Sequence, residues 1–414
     1  MSDARHVLVL ASTFPASESD PVPAFVRDQV IAMKALHPET QFTVLAPHDE
    51  RSGTRDHVVH DDYDEHRFHY AWPRSLEQLT GRGIMPALKA NKLLYAAIPL
   101  LFIGEYRATL RLARRVKPTL LYAHWFTPQA IVAGWVSKRT GIPFAFTTHA
   151  SDVEVWRRIP VVGPRLVRST ARAASAMTAV SSRSAAKLTR FLDEPDASRV
   201  EIIPMGVEIP AAADVADVRS SSRAELGLGD SLVFLFMGRL VEKKGVPYLL
   251  EALAARSAEL GDWRLVIAGD GPLADELAAK VTELGLDAHV HFAGYVTGDD
   301  KERYLSVADV FVVPSIIASD GDAEGLPVSL LEGLSYGLPC VATFESGADD
   351  IVTDGVDGFL CPQADAPALG HALVRAAQLD TDAHALLASN ARALSTTYSW
   401  PAVAARHDIA LLGR

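Results

Sequence analysis

What most restricts this chain is that short apolar runs and amphipathic stretches take turns along it, twice over. Runs such as Val7-Leu8-Val9-Leu10-Ala11 alternate with segments whose apolar positions recur at helical spacing. Unbroken short apolar runs suit strands buried on both faces, and the helices between them suit crossover connections. The pattern therefore asks for a parallel, doubly wound sheet. Strands are expected at 6–11, 41–46, 67–71, 119–123, 143–148, 176–180 and 200–203, and helices near 23–36, 86–115, 127–139, 164–173 and 182–191. A second unit of the same kind starts at Ser231, with strands at 231–237 and 263–268. Residues 208–230, rich in Ala, Asp and Ser, read as the linker between the two. At 414 residues the chain has room for two or three domains, each with its own core. In such sheets ligands bind at the carboxyl ends of strands, so the residues just after each strand are the candidates.

Charge divides unevenly. Residues 1–205 hold 26 Lys and Arg against 20 Asp and Glu, whereas 206–414 hold 14 against 31. The asymmetry favours two domains with different partners, and the acidic half argues against a nucleic-acid binder. The only cysteines, Cys340 and Cys361, lie in apolar segments that read as strands, which suits buried thiols in a reducing compartment. The N-terminal apolar run is too short for a signal peptide and reads as a strand. A cytoplasmic protein is expected.

Residues 74–117 hold nine Lys or Arg against two acids, around the apolar run Leu93–Ile103. That run is too short to span a bilayer. Two readings stand: a helix with one core face and a solvated basic face, or a surface helix that rests on anionic lipid.

The stretch from Glu324 to Pro339 (EGLPVSLLEGLSYGLP) reads as a short buried helix. Pro327 suits its first turn, and Gly337 with Pro339 stops it. Glu324 is expected just ahead of the helix and Glu332 in its second turn. Eight residues at ~100° each bring the two to within roughly 80° of one face. A carboxylate among Leu330, Leu331 and Leu334 needs a hydrogen-bond partner. Taken alone, such a Glu equally suits a loop cap. Upstream, Arg239 and Lys244 lie between a strand and a helix N-terminus, a favourable place for an anion, though two such residues alone also fit a solvated loop.

The segment 324–343, Glu-Gly-Leu-Pro…Leu-Glu-Gly…Gly-Leu-Pro-Cys-Val-Ala-Thr, closely resembles the Glu-x7-Glu signature of retaining glycosyltransferases of family 4, which have the GT-B fold. Met237-Gly-Arg-Leu-Val-Glu-Lys-Lys-Gly245, Ala268-Gly-Asp-Gly-Pro272 and Val312-Val-Pro-Ser315 stand in the family's order. The likeness is strongest from about 200 to 362. It implies an α/β, GT-B architecture of two Rossmann-like, doubly wound parallel-sheet domains facing across a cleft. An acceptor-side domain would cover 1–205, a nucleotide-sugar domain 206–395, and a closing helix 396–414 would return to the first domain. Ile203-Pro-Met-Gly-Val207 resembles the family's hinge. Phe14-Pro15…Phe25-Val26-x-x-Gln29 is similar to the bacterial exopolysaccharide and colanic-acid subgroup, and the Gly-Gly pair of many members is absent from this loop.

The implied activity is metal-independent transfer of a hexose, with retention, from a UDP- or GDP-linked sugar. The acceptor would be a hydroxyl of a glycan or lipid-linked precursor in cell-surface glycan biosynthesis. A lipid-linked acceptor would suit the basic segment 74–117 resting peripherally on the inner face of the plasma membrane. Residue by residue, the resemblance gives Arg239 and Lys244 to the diphosphate and Gly238, Gly269 and Gly271 to close passage of the nucleotide. Tyr295 and Val296 would meet the base. Glu324 with the backbone of Gly325 and Leu326 would hold the sugar hydroxyls, and Glu332 the ribose. His149-Ala-Ser-Asp152 is similar to the family's His-Gly-x-Asp segment, whose His faces the donor sugar. Asp152 and His124 are acceptor-side candidates, although a histidine at a strand end equally suits a structural role. Glu324, His149, Arg239 and Lys244 form the expected catalytic set, with no cofactor and no metal. Asp320-Gly321-Asp322 superficially resembles the Asp-x-Asp metal motif of the other major glycosyltransferase fold, but it lies in a polar loop. Asp350 stands where the family usually has Glu. Rival classes are a GT-B nucleotide-sugar epimerase, which lacks the paired-Glu helix, and a non-catalytic nucleotide-sugar sensor.

Overall fold

The computed structural model describes residues 5–413 apart from 18–19, 21, 50–52, 81–83, 85–86, 89–90 and 150–151. Arg82 and Lys89 of the basic segment, and Ala150 and Ser151 beside His149, lie outside the described residues. The chain forms two compact units, the first running up to Gly206 and resuming at Trp400, the second covering Val207–Ser399.

Unit 1 is built on eight strands: β1 (His6–Leu10), β2 (Gln41–Pro47), β3 (His57–Val59), β4 (Asp64–Phe68), β5 (Leu120–His124), β6 (Phe144–Thr148), β7 (Ala176–Ala179) and β8 (Val200–Ile202). They lie in the order β3-β4-β2-β1-β5-β6-β7-β8, and all pair in parallel except the β3–β4 hairpin. Along β1 the side chains alternate between two apolar layers, Leu8 and Leu10 on one face and Val7 and Val9 on the other. This two-sided burial is what the unbroken apolar runs require. The helix Trp400–Leu412 belongs to this unit and packs on the helix Phe25–Leu36, with Ala404 and Leu411 in the same apolar layer as Val26 and Met33. Gly206 lies so close to the Trp400 ring that a Cβ there would fall 2.3 Å from it.

Unit 2 carries β9 (Leu232–Met237), β10 (Trp263–Ala268), β11 (Val290–Gly294), β12 (Val310–Val313), β13 (Cys340–Thr343) and β14 (Gly358–Cys361), all parallel, in the order β11-β10-β9-β12-β13-β14. Phe234 and Phe236 face one apolar layer, and Val233, Leu235 and Met237 the other. Cys340 and Cys361 are free, buried thiols on β13 and β14.

Several expectations need correction. The strand expected at 67–71 begins earlier, at Asp64, and pairs with a short strand, β3, that the sequence does not announce. Two of its three buried positions are charged: Arg67 donates from Nε to Glu65 Oε1 at 2.5 Å, and also to the carbonyls of Phe14 and Pro15. Burial is tolerable because each charge is paired and hydrogen-bonded. The helix expected at 127–139 starts at Ile131, after a five-residue turn, Phe126–Ala130. The supposed linker contains a 14-residue helix, Ala212–Glu225. Arg219 and Arg223, one turn apart on it, both reach the carboxylate of Asp309 and the carbonyls beside it. Pro327 is the residue just before the helix Val328–Ser335 rather than part of its first turn.

The segment judged too short to cross a membrane is longer than its apolar run. A 3-10 turn, Lys92–Ala97, leads straight into the helix Ile98–Val116. Together they make 25 residues, long and apolar enough to cross a membrane by length and composition. Leu101, Glu105, Thr109 and Leu112, at three- and four-residue spacing, face the core of unit 1. Leu93, Tyr95, Leu100 and Ile103 remain exposed.

Candidate active site

Among the parallel strands of each sheet the order reverses once, and that reversal is where loops diverge and leave room for a ligand. In unit 2 it lies between β9 and β12. After β9 the chain passes through Gly238 and Arg239, makes a 3-10 turn, Glu242–Lys244, and enters the helix Val246–Leu260. The loop after β12 is tied to this turn: Ile316 N–H donates to Lys243 O at 2.8 Å, and Ser319 donates twice to the Glu242 carboxylate. The loop after β10 is tied on the other side. Gly238 N–H donates to Ala268 O at 3.0 Å and Leu240 N–H to Asp270 O at 2.9 Å. This contact requires Gly269, where a Cβ would lie 1.9 Å from the Gly238 carbonyl oxygen.

The charged groups gather on this frame. Glu324 Oε1 lies 3.4 Å from Lys244 Nζ and 3.5 Å from Lys243 Nζ, and Lys243 Nζ is also 3.3 Å from Asp322 Oδ2. Burial pushes the Glu324 carboxyl up, but the two ammonium groups outweigh it and hold the carboxyl below its ordinary value. Burial likewise works against the Lys243 charge, yet Glu324 and Asp322 hold its pKa above the usual lysine value. Lys244 runs past Gly238, with its Cε 3.3 Å from where a Cβ would be. Arg239 is exposed, and its guanidinium has no hydrogen bond or ion pair among the described residues.

Glu332 projects from the helix Val328–Ser335, whose Leu330, Leu331 and Leu334 are buried. That helix presses against β12 through Gly333, where a Cβ would come within 2.5 Å of the Phe311 ring. Glu332 Oε1 accepts from Lys301 Nζ at 2.9 Å. Gly325 and Leu326 precede the helix, and the carbonyl of Gly325 abuts Gly347 in the segment 346–350. Gly271 lies against Leu240, Tyr295 is exposed just after β11, and Val296 packs on the unit-2 core. Asp322 of the Asp-x-Asp look-alike is engaged with Lys243, and its N–H turns back to Asp320 Oδ1 at 2.9 Å.

In unit 1 the reversal falls between β1 and β5. His124 ends β5 and is fully buried, and His149 follows β6. Their rings meet, with His124 Nδ1 and His149 Nε2 3.2 Å apart. The His149 ring is walled by Trp125 and Phe25, with centroids at 4.8 and 5.5 Å. Burial drives the His149 pKa down to about 3, helped by His407, and burial takes His124 well below the ordinary value too. Both rings are neutral at physiological pH. Asp152 binds the two strand ends together: Oδ2 accepts from Phe126 N–H at 2.5 Å and His149 N–H at 3.2 Å, and Oδ1 accepts from Thr148 Oγ1 at 2.6 Å. Burial raises its pKa to about 6 against those hydrogen bonds.

Three participants escaped the sequence reading. Lys243 shares Glu324 equally with Lys244, and the Lys-Lys doublet was the available signal. Lys301 meets Glu332 from 31 residues away, and His407 acts on both histidines from the last helix. Neither has a local signature.

Residues 39–209 match a family model described as Glycosyltransferase Family 4, and residues 218–393 one described as Glycosyl transferases group 1. The amylovoran biosynthesis glycosyltransferase AmsK of Erwinia amylovora is 32% identical over 186 residues, 45% of this chain and 44% of that protein. A GDP-mannose-dependent alpha-(1-6)-phosphatidylinositol monomannoside mannosyltransferase of Mycolicibacterium smegmatis is 30% identical over 273 residues, 65% of this chain and 70% of that one. The chain thus spans less than half the length of the amylovoran relative. Among solved structures, Anabaena Alr3699/HepE in complex with UDP and glucose superposes with a TM-score of 0.72 at 20% identity, covering 99% of this chain and 100% of that one.

Proposed function

The chain belongs to glycosyltransferase family 4 and has the GT-B fold, and from that premise we propose that it transfers a hexosyl group from a nucleoside diphosphate sugar to a hydroxyl acceptor. The acceptor is a glycan or lipid-linked intermediate of cell-surface glycan assembly, and the anomeric configuration is retained. The observation that carries this reading is the cation cluster at the unit-2 reversal. Arg239 is exposed and has no hydrogen bond or ion pair among the described residues, and Lys244 runs against the adjacent Gly238. A departing nucleoside diphosphate gains negative charge as the glycosidic bond breaks, and fixed cations that meet this charge stabilise the transition state. Arg239 offers a planar fork to the phosphates and Lys244 a point charge. Glu324, held ionised by both lysines, accepts from the sugar hydroxyls, and the backbone of Gly325 and Leu326 helps to hold them. Glu332 accepts from the ribose.

Retention is the outcome that membership of this family supports. An inverting reaction needs a general base on the face away from the leaving group. Neutral His149 resists protonation down to about pH 3, and Asp152 already accepts three hydrogen bonds. In our reading the departing phosphate oxygen takes the acceptor's proton on the same face, and the lysines and Arg239 do the work that a metal does elsewhere. His124, His149 and Asp152 form the acceptor-side structure, offering neutral hydrogen-bonding groups and a fixed loop.

The enzyme works at the inner face of a membrane, on which the helix through Val116 rests. Its exposed Leu93, Tyr95, Leu100 and Ile103 enter the headgroup region, and Arg107, Arg111, Arg114 and Arg115, which line one shared surface groove, face anionic lipid.

The deciding experiment offers UDP-, GDP- and ADP-linked sugars without added divalent metal, scores binding by thermal shift, and follows the first product by proton NMR. An α-linked product from an α-linked donor is expected. A β product from an α donor overturns retention, and dependence on added Mg2+ or Mn2+ overturns the metal-free transfer step.

A further inference from the structure

β2 and β4 are neighbours whose last register pair is Pro47 with Phe68, so the next residue on each, His48 and His69, leaves the sheet side by side at its carboxyl edge. Their ring centroids are 4.3 Å apart. The chain then makes a 3-10 turn, Arg74–Leu76, and brings back the fully buried Glu77. His48 Nδ1 and His69 Nδ1 each lie 2.9 Å from the same oxygen, Glu77 Oε2. The other oxygen, Oε1, accepts from the N–H groups of Tyr70 at 2.7 Å and Ala71 at 3.1 Å. The far nitrogen of His69 is 2.9 Å from Asp56 Oδ1. One ligand atom from each of the three residues lies within 4.8 Å of the others, a grouping that no other set of three satisfies among the described residues.

Two histidines and a carboxylate converging in this way suit a divalent ion of the zinc type. Zinc takes nitrogen and carboxylate ligands at roughly 2.0–2.2 Å, and sites with three protein ligands keep a further position open. The supporting contacts fit the same chemistry. A ligating histidine commonly hands its other N–H to a carboxylate, as His69 does to Asp56, and a ligating carboxylate is itself hydrogen-bonded, as Glu77 is by two backbone N–H groups. His69 is a quarter exposed, which provides a way in, while His48 and Glu77 are buried. The ion would take the place of the two imidazole protons that otherwise point at Oε2.

We propose that His48, His69 and Glu77 bind one zinc-type ion, with Asp56 orienting His69. The ion ties the segment 69–77 to the end of β2. It takes no part in the transfer step, whose residues lie elsewhere, so the two readings stand or fall separately.

The test uses the full chain, stripped with chelator and dialysed, then titrated calorimetrically with ZnCl2, MgCl2 and CaCl2 while Tm is followed. One equivalent of zinc should bind with micromolar affinity or better and raise Tm, Co(II) should give the visible bands of a nitrogen–oxygen site, and magnesium and calcium should do neither. His48→Gln and His69→Gln, which spare the buried Glu77, should lower zinc affinity about 100-fold and remove the Tm shift, and Asp56→Asn should lower affinity about 10-fold. Failure of the stripped wild type to take up zinc overturns the proposal. Equal uptake by the two Gln variants overturns it as well, because the metal then sits among other members of the chain's 14 histidines.

Discussion

The two strand-order reversals occupy equivalent positions in their sheets and are furnished in opposite ways. At the unit-2 reversal the side chains are ions: Glu324 between two lysines, and an exposed Arg239 on the loop that carries those lysines. At the unit-1 reversal His124 and His149 are buried, neutral and packed among tilted aromatic rings, and the half-buried Asp152 is consumed by three hydrogen bonds. A parallel sheet dictates where loops open, and the residues on those loops decide whether the opening attracts a polyanion or shapes itself around an uncharged hydroxyl compound. Fixed charge costs burial energy unless it is paired, so unit 2 keeps its ions in a mutual network near solvent. At its own reversal unit 1 sets neutral imidazoles and one hydrogen-bonded carboxyl instead.

This contrast is easiest to break where it is sharpest. Arg239→Ala and Lys244→Ala should each lower kcat/KM by about 10²-fold, and the double variant by roughly 10³-fold or more, with the far-UV circular dichroism unchanged. Turnover of the double variant within tenfold of wild type would remove the phosphate role from unit 2. Asp152→Ala should act differently, through stability. It leaves two N–H groups and a hydroxyl without an acceptor and should cost roughly 2–4 kcal/mol in urea denaturation, while nucleotide affinity measured by calorimetry stays within about twofold.

The two half-buried carboxyls, Asp152 and Glu324, should also respond to pH in opposite directions. The Asp152 carboxyl, raised from 3.8 to about 6, contributes stability that is present below its unfolded value and lost as pH rises through about 6. Wild type should therefore lose roughly 2–3 kcal/mol relative to Asp152→Asn between pH 4 and 7. Glu324 is depressed below 4.5, so its contribution is present above that value and lost as pH falls through the lowered one. Wild type should weaken relative to Glu324→Gln on acidification. Denaturation curves of both pairs across pH check the signs, and parallel trends would erase the distinction. The smallest effect concerns surfaces. The basic first half should sediment with anionic vesicles more than with neutral ones, and salt should weaken that binding. Equal sedimentation with both would make the Arg107–Arg115 face simply solvated.

Legibility in the sequence followed locality. The apolar runs announced most strands, because a strand buried on both faces writes its burial into five or six consecutive residues. The helix Val328–Ser335 and its stop signals were equally local. What escaped depends on distant partners. The helix Ala212–Glu225 looks like a polar linker because the interaction that draws it onto unit 2, two arginines on Asp309, involves a residue some ninety positions away. β4 hides because its inward residues, Glu65 and Arg67, neutralise each other and carry no apolar pattern. In the candidate site the cations were visible as a motif, but the pairing of Lys243 and Lys244 on one carboxylate and of Lys301 with Glu332 is a fact of three-dimensional proximity.

The return of the helix Trp400–Leu412 to unit 1 has a consequence for how the protein is made. Synthesis runs from the first residue to the last, so unit 1 must wait for about 190 residues of unit 2 before the apolar layer on its sheet can be completed by Ala404 and Leu411. At roughly 5–20 residues per second the delay is about 10–40 s, long compared with the folding of a compact domain. The second unit in the sequence can thus be the first to finish. Meanwhile the helix Phe25–Leu36 presents to the cell the apolar face that Val26 and Met33 will later share with the last helix. A chain cut short before Trp400 carries a finished unit 2 joined to a unit 1 whose core is still open.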